Sequence, residues 1–134
     1  MDYDKKYFLE EHNLPKDIPD EYYSSIIRVD PEQNNKDIGW KYEHVLNVIN
    51  YLCDKGYAIL GGDVYKIDND GIEFKGDNWH IDKISKDSDK AYVEKSRKKA
   101  IDYVTIYHNR NSEKGIYVYC PIIGNKIFKG MKIS

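Results

Sequence analysis

The run Tyr57-Ala58-Ile59-Leu60-Gly61-Gly62-Asp63-Val64-Tyr65 governs how this chain reads. It begins as a buried-type strand, meets two glycines and a carboxylate, and resumes as strand. Paired glycines inside a strand pattern mark a bulge, a tight bend or the close approach of another backbone, because no side chain packs there. The pattern therefore predicts two short strands, residues 57–60 and 64–67, joined at a Gly61-Gly62-Asp63 corner. In a chain without a catalytic signature, that corner is the foremost candidate for a functional surface.

Outward from it the elements follow from periodicity and turn chemistry. Asp68-Asn69-Asp70-Gly71 reads as a hairpin turn, since Asn, Asp and Gly accept positive φ, and Ile72-Glu73-Phe74 reads as the returning strand. Gly76-Asp77-Asn78 predicts a further turn that delivers Trp79-His80-Ile81. Upstream, Tyr42, Val45, Leu46, Ile49 and Leu52 form one helical stripe over residues 41–54, with Gly56 placed to end it. Trp40 precedes that helix and is expected to pack on its first turn. Downstream, Asp87 or Ser88 caps a second long helix whose stripe is Tyr92, Ser96, Ala100, Tyr103, Val104 and Tyr107. Lys95, Arg97, Lys98 and Lys99 fall mainly on its other face, as a solvated surface. Residues 116–120 are a strong strand ending near Pro121.

The first third reads as a helix over residues 4–11, a loop punctuated by Pro15 and Pro19, a strand over 22–29, and an exposed polar loop over 30–37. The tail after Pro121 alternates basic and apolar residues without declaring a structure. With no repeat or linker, the expectation is one α+β domain over residues 1–134: a small, mostly antiparallel sheet packed against two or three helices.

Composition sets limits on function. The chain has 134 residues, 40% of them hydrophobic and 33% charged, as expected of a single folded domain. No apolar run approaches the about 20 residues of a membrane span, and no secretory signal is visible at the start, so cytoplasmic residence is the expectation. Cys53 and Cys120 lack metal-type spacing and read as reduced, buried residues. A net charge of −2 argues against nucleic-acid binding. The charge is uneven, however: residues 1–38 carry ten acids and five bases, residues 87–134 five and ten. An acidic first third either meets a basic partner or is simply solvated. The 13 tyrosines against 3 phenylalanines suit an interface, and equally suit an AT-rich genome.

Motifs for chemistry are mostly missing. Residues 66–77 imitate a calcium loop, but Lys66 stands at the first ligand position, so the ordinary hairpin turn is preferred. No phosphate-cradling loop or nucleophile elbow occurs. His12, His44, His80 and His108 show no zinc spacing. The Gly-Gly-Asp run lacks the following acid of the diguanylate cyclase signature. A base pair of Asp63 and His80, at one sheet end beside the glycines, is the one catalytic or ligand-binding alternative. Nothing argues for a cofactor or metal.

The helix Val45-Leu46-Asn47-Val48-Ile49-Asn50-Tyr51-Leu52 leads into Lys55-Gly56-Tyr57 and the Leu60-Gly61-Gly62-Asp63-Val64-Tyr65 run. Asn78-Trp79 follows, then the helix opening Tyr92-Val93-Glu94-Lys95-Ser96 and a closing apolar strand. This order resembles the bacterial immunity protein 40 family of polymorphic toxin systems, over residues 38–122. The resemblance implies a non-catalytic antidote that binds a cognate toxin domain made by the same cell or delivered by kin. Its partner-binding residues would be Gly61, Gly62, Asp63, Tyr65, Trp79 and His80. In that reading Asp63 pairs a basic group of the toxin, the glycines permit close backbone approach, and the rings supply buried area. In the rival reading Asp63 caps a turn and Trp79 is core.

Overall fold

A computed structural model describes residues 3–29, 37–82 and 87–126. Most of the loop expected over residues 30–37, the residues 83–86 and the end of the tail from residue 127 lie outside the described residues. In chain order the elements are α1 (Tyr3–Glu11), α2 (Asp20–Ser24), β1 (Ile27–Arg28), β2 (Ile38–Lys41), α3 (Tyr42–Asp54), β3 (Tyr57–Asp68), β4 (Gly71–His80), α4 (Asp89–Asn111) and β5 (Ile116–Lys126). The strands form one antiparallel sheet in the order β1-β2-β5-β3-β4. The protein is α+β, as its sequence predicts, with α3 and α4 as the long helices.

Local chemistry explains most boundaries. Ser88 caps α4, its Oγ accepting from the Ala91 N–H at 3.1 Å. Gly56, at φ 95°, follows the last turn of α3 in the left-handed conformation that glycine adopts without strain. Asp68 and Gly71 pair across the Asn69-Asp70 turn, closing the β3–β4 hairpin.

Four expectations are corrected. The strand expected to end near Pro121 runs on through it, as β5, to Lys126. The strand expected over residues 22–29 shrinks to β1, because α2 starts directly after Pro19. The fixed φ of Pro19 (−56°) and the acids Asp20 and Glu21 in the first turn favour a helix there. The Gly61-Gly62 pair does not divide the strand; β3 runs unbroken for 12 residues. A Cβ on Gly62 would lie 2.2 Å from the Trp79 ring, and one on Gly61 2.3 Å from the Trp79 carbonyl oxygen. The glycines clear space for close cross-strand packing rather than for a bend. Gly76-Asp77-Asn78 is likewise not a turn between strands but lies within β4. Asp63 pairs with Asn78 while Tyr65 pairs with Phe74, so β4 bulges here, and Gly76 takes a φ of 78°.

The main core lies on one side of the sheet. Trp40, Val64, Trp79, Tyr117 and Tyr119 of the strands meet Val45, Val48, Ile49 and Leu52 of α3 and Tyr92, Val93, Ala100 and Val104 of α4. Phe8 and Leu9 of α1 join them. Trp40 belongs to β2 rather than to the approach to the helix, and its Nε1 donates to the Tyr22 carbonyl at 2.9 Å. The buried Ser96 hydroxyl donates to the Val93 carbonyl and accepts from the Ile59 N–H at 3.0 Å, where the β3–β5 register slips. Arg97 ties α4 to α3 through Asn50 Oδ1 and Asp54, each at 2.8 Å. Cys53 and Cys120 are free and buried.

Candidate functional site

Side chains alternate along a strand, so the core claims Gly62 and Val64 while Asp63, Tyr65 and Ile67 face the opposite way. Registers extend that second face across the sheet. Ile67 lies between Ile72 and Ile116, Tyr65 between Phe74 and Val118, Asp63 between Asn78 and Cys120, and Gly61 between His80 and Ile122. Its buried residues form a small cluster of Val29, Tyr65, Val118 and Cys120, with Ile27 and Ile67 against it, all from strands or their ends. The buried residues of α1, α3 and α4 belong to the core on the other side. Among the described residues, therefore, no helix packs on this face.

The open face is apolar and exposed. Ile72 is 40% exposed, Phe74 51%, Ile116 53% and Ile122 49%. Large apolar groups clustered in water, rather than scattered singly, mark a binding surface. Polar groups lie beside them. Tyr65, almost fully buried, donates its hydroxyl proton to Asp37 Oδ2 at 3.0 Å, and its ring tilts against Phe74 at 5.3 Å between centroids. Burial, and then the nearby Asp37 carboxylate, push the pKa of Asp63 above its ordinary value. Burial pushes the Cys120 thiol up, with Asp37 and Asp63 adding to the effect. Two carboxylates thus lie near one another on this face, and the charge of Asp37 disfavours ionisation of Asp63.

The sheet separates the residues named from the sequence. Gly62 and Trp79 turn toward the helices; Trp79 is 5% exposed and stacks on Tyr103 with 4.9 Å between ring centroids. Asp63, Tyr65 and His80 share the open face, together with the buried backbone of Gly61. His80 is exposed and sits diagonally from Asp63, and no hydrogen bond or ion pair joins the two. Sequence reading missed Asp37, Phe74, Ile116 and Ile122. The run Ile116-Tyr117-Val118-Tyr119-Cys120 carried a signal, because a strand apolar at every position has something to bury on both sides. Asp37 carried none, being 28 residues from its Tyr65 partner.

Among the described residues no group of three or more His, Cys, Asp or Glu is placed to hold a metal ion, and no helix is long and apolar enough to cross a membrane. Neither curated proteins nor solved structures yield a match. A family match does exist, covering β2, α3, the β3–β4 hairpin, α4 and β5 as far as Pro121. It starts at residue 29, so it also takes in the stretch before Ile38 that the sequence resemblance left out. Residues 29–121 match the family described as Immunity protein 40, and the chain belongs to that family.

Proposed function

We propose that this immunity protein neutralises a cognate toxin by binding it, without catalysis, through the open face of the sheet. The observation that carries the reading is the exposed row of Ile72, Phe74, Ile116 and Ile122 on a face that no described helix covers. The carboxylates of Asp37 and Asp63 give the partner its chemistry: a lysine or arginine flanked by apolar side chains. Tyr65, itself buried and held by Asp37 and Phe74, fixes the floor of this face, so that the surface loses little entropy on binding. His80 lies at the rim, where a polar contact adds specificity more than affinity. Gly61, Gly62 and Trp79 support this surface from beneath by setting the close packing of β3 on β4.

The test is co-expression with the toxin-domain protein encoded beside this gene, followed by gel filtration and calorimetry, with growth as the biological readout. A one-to-one complex tighter than about micromolar, abolished by Phe74→Asp but kept by a substitution on the exposed α4 surface such as Lys98→Ala, supports the proposal. Rescue without a complex would point to an enzymatic antidote, and loss of rescue in Asp63→Asn would then implicate Asp63 with His80. A complex indifferent to Phe74→Asp would move the interface off this face.

A further inference from the structure

A second site stands on the helix-covered side of the sheet and does not depend on the toxin reading. A cleft of about 320 Å³ opens between the first turn of α3, the end of α4 and the start of β5. Its walls are aromatic, with Tyr117 and the rings of Tyr42 and His108, which stack at 3.6 Å with 3° between their planes. The start of α3 forms part of it. The residue preceding that helix is Lys41, which has no acceptor to offer, and no side chain caps the first turn. First-turn N–H groups have no partner inside the helix, and the helix dipole places partial positive charge there. Lys41 adds a full charge and forms no ion pair among the described residues. Glu43 also lines the cleft, but its carboxylate is drawn to His44 Nε2 at 3.1 Å.

Tyr119 is the independent observation. It lines the cleft, its side chain is 1% exposed, and its buried hydroxyl has no hydrogen-bond partner. A hydroxyl withdrawn from water and left unpaired is costly and calls for an explanation. Burial, with Tyr117 and Tyr42 nearby, pushes its pKa up, so the phenol remains a proton donor. A tyrosine with an unpaired donor hydroxyl, an uncapped helix start and a lysine all line a space with flat aromatic walls.

We propose that this cleft binds a small carboxylic acid with a flat apolar body, its carboxylate held by Tyr119, Lys41 and the first turn of α3. Titration of the full chain with benzoate tests it, with acetate, benzylamine and inorganic phosphate as comparisons. Benzoate is expected to saturate the protein, acetate to bind more weakly, and benzylamine not to bind. Tyr119→Phe, which keeps the ring, is expected to weaken benzoate by about 10- to 100-fold, as for a lost hydrogen bond to a charged group. Lys41→Gln should weaken it as well, and decides the matter if Tyr119→Phe does not fold. No benzoate binding tighter than about 10 mM, affinity unchanged by both substitutions, or a preference for phosphate would each overturn the proposal. A hydroxyl satisfied by water alone gives the first of these results. None of them bears on the toxin reading, whose face lies across the sheet.

Discussion

Gly62 and Asp63 are neighbours in β3, yet the sheet gives them opposite tasks. Gly62 lies under the Trp79 ring on the side where α3 and α4 pack; Asp63 lies among exposed isoleucines and Phe74 on the side without a described helix. The contrast teaches that a compact sequence signature need not mark a compact site. One half of the Gly-Gly-Asp run holds two strands together, and the other half lies on the open face, within the proposed interface. If the two faces are independent, substitutions on the covered side should cost stability, and those on the open side should cost binding.

Trp79→Ala offers the largest effect. It removes a buried ring and its stacking on Tyr103, and is expected to lower unfolding free energy by about 3–5 kcal/mol in urea titrations. Whatever fraction remains folded should still bind toxin. Gly62→Ala comes next, since its Cβ would enter the Trp79 ring; overpacking of this kind costs about 1–3 kcal/mol. A neutral result there would break the close-packing account of the glycines. Phe74→Ala should reverse the balance: toxin affinity falls by about 2 kcal/mol, roughly 30-fold, while stability stays within about 0.5 kcal/mol. Equal losses in the two measurements would show that the open face is structural.

The smallest effect is a pH dependence at Asp63. Its folded pKa lies above the ordinary value of 3.8, so folding is penalised once the carboxylate ionises. That penalty is absent below the unfolded value and grows as pH rises through the folded one. Asp63→Asn should therefore melt slightly higher than the parent protein at pH 7, with the difference closing as pH falls toward 4. Asp17 has the opposite sign. Its hydrogen bond with Lys55 at 3.0 Å holds its pKa below 3.8, so its contribution is present above that value and is lost as pH falls through the folded pKa. Melting Asp63→Asn and Asp17→Asn across the same pH series separates the two.

Much of the architecture was legible because it is local. The α3 stripe, the Ser88 cap, Gly56 at the helix end and the Asn69-Asp70 turn each follow from the conformational preferences of a few adjacent residues. The expectations that failed were non-local. Gly61-Gly62 reads as a corner until Trp79, 17 positions after Gly62 and opposite it in the register, supplies the reason for an absent side chain. Gly76-Asp77-Asn78 has turn composition, but pairing with β3 on either side keeps it within the strand as a bulge. Residues 22–29 carry β-branched side chains, yet Pro19 and two following acids start a helix before strand propensity can act.

By itself, then, the sequence determined the two long helices, the β3–β4 hairpin turn, the α+β class and the family, since periodicity, capping and turn chemistry act over a few residues and family signatures record them in order. Only the tertiary structure decided which side of β3 faces the helices. It also brought Asp37 to Tyr65 and left the Tyr119 hydroxyl unpaired beside the start of α3. Those outcomes depend on cross-strand register and on where helices dock. Both are settled by burial of apolar surface between segments far apart in the chain, and no local preference encodes them.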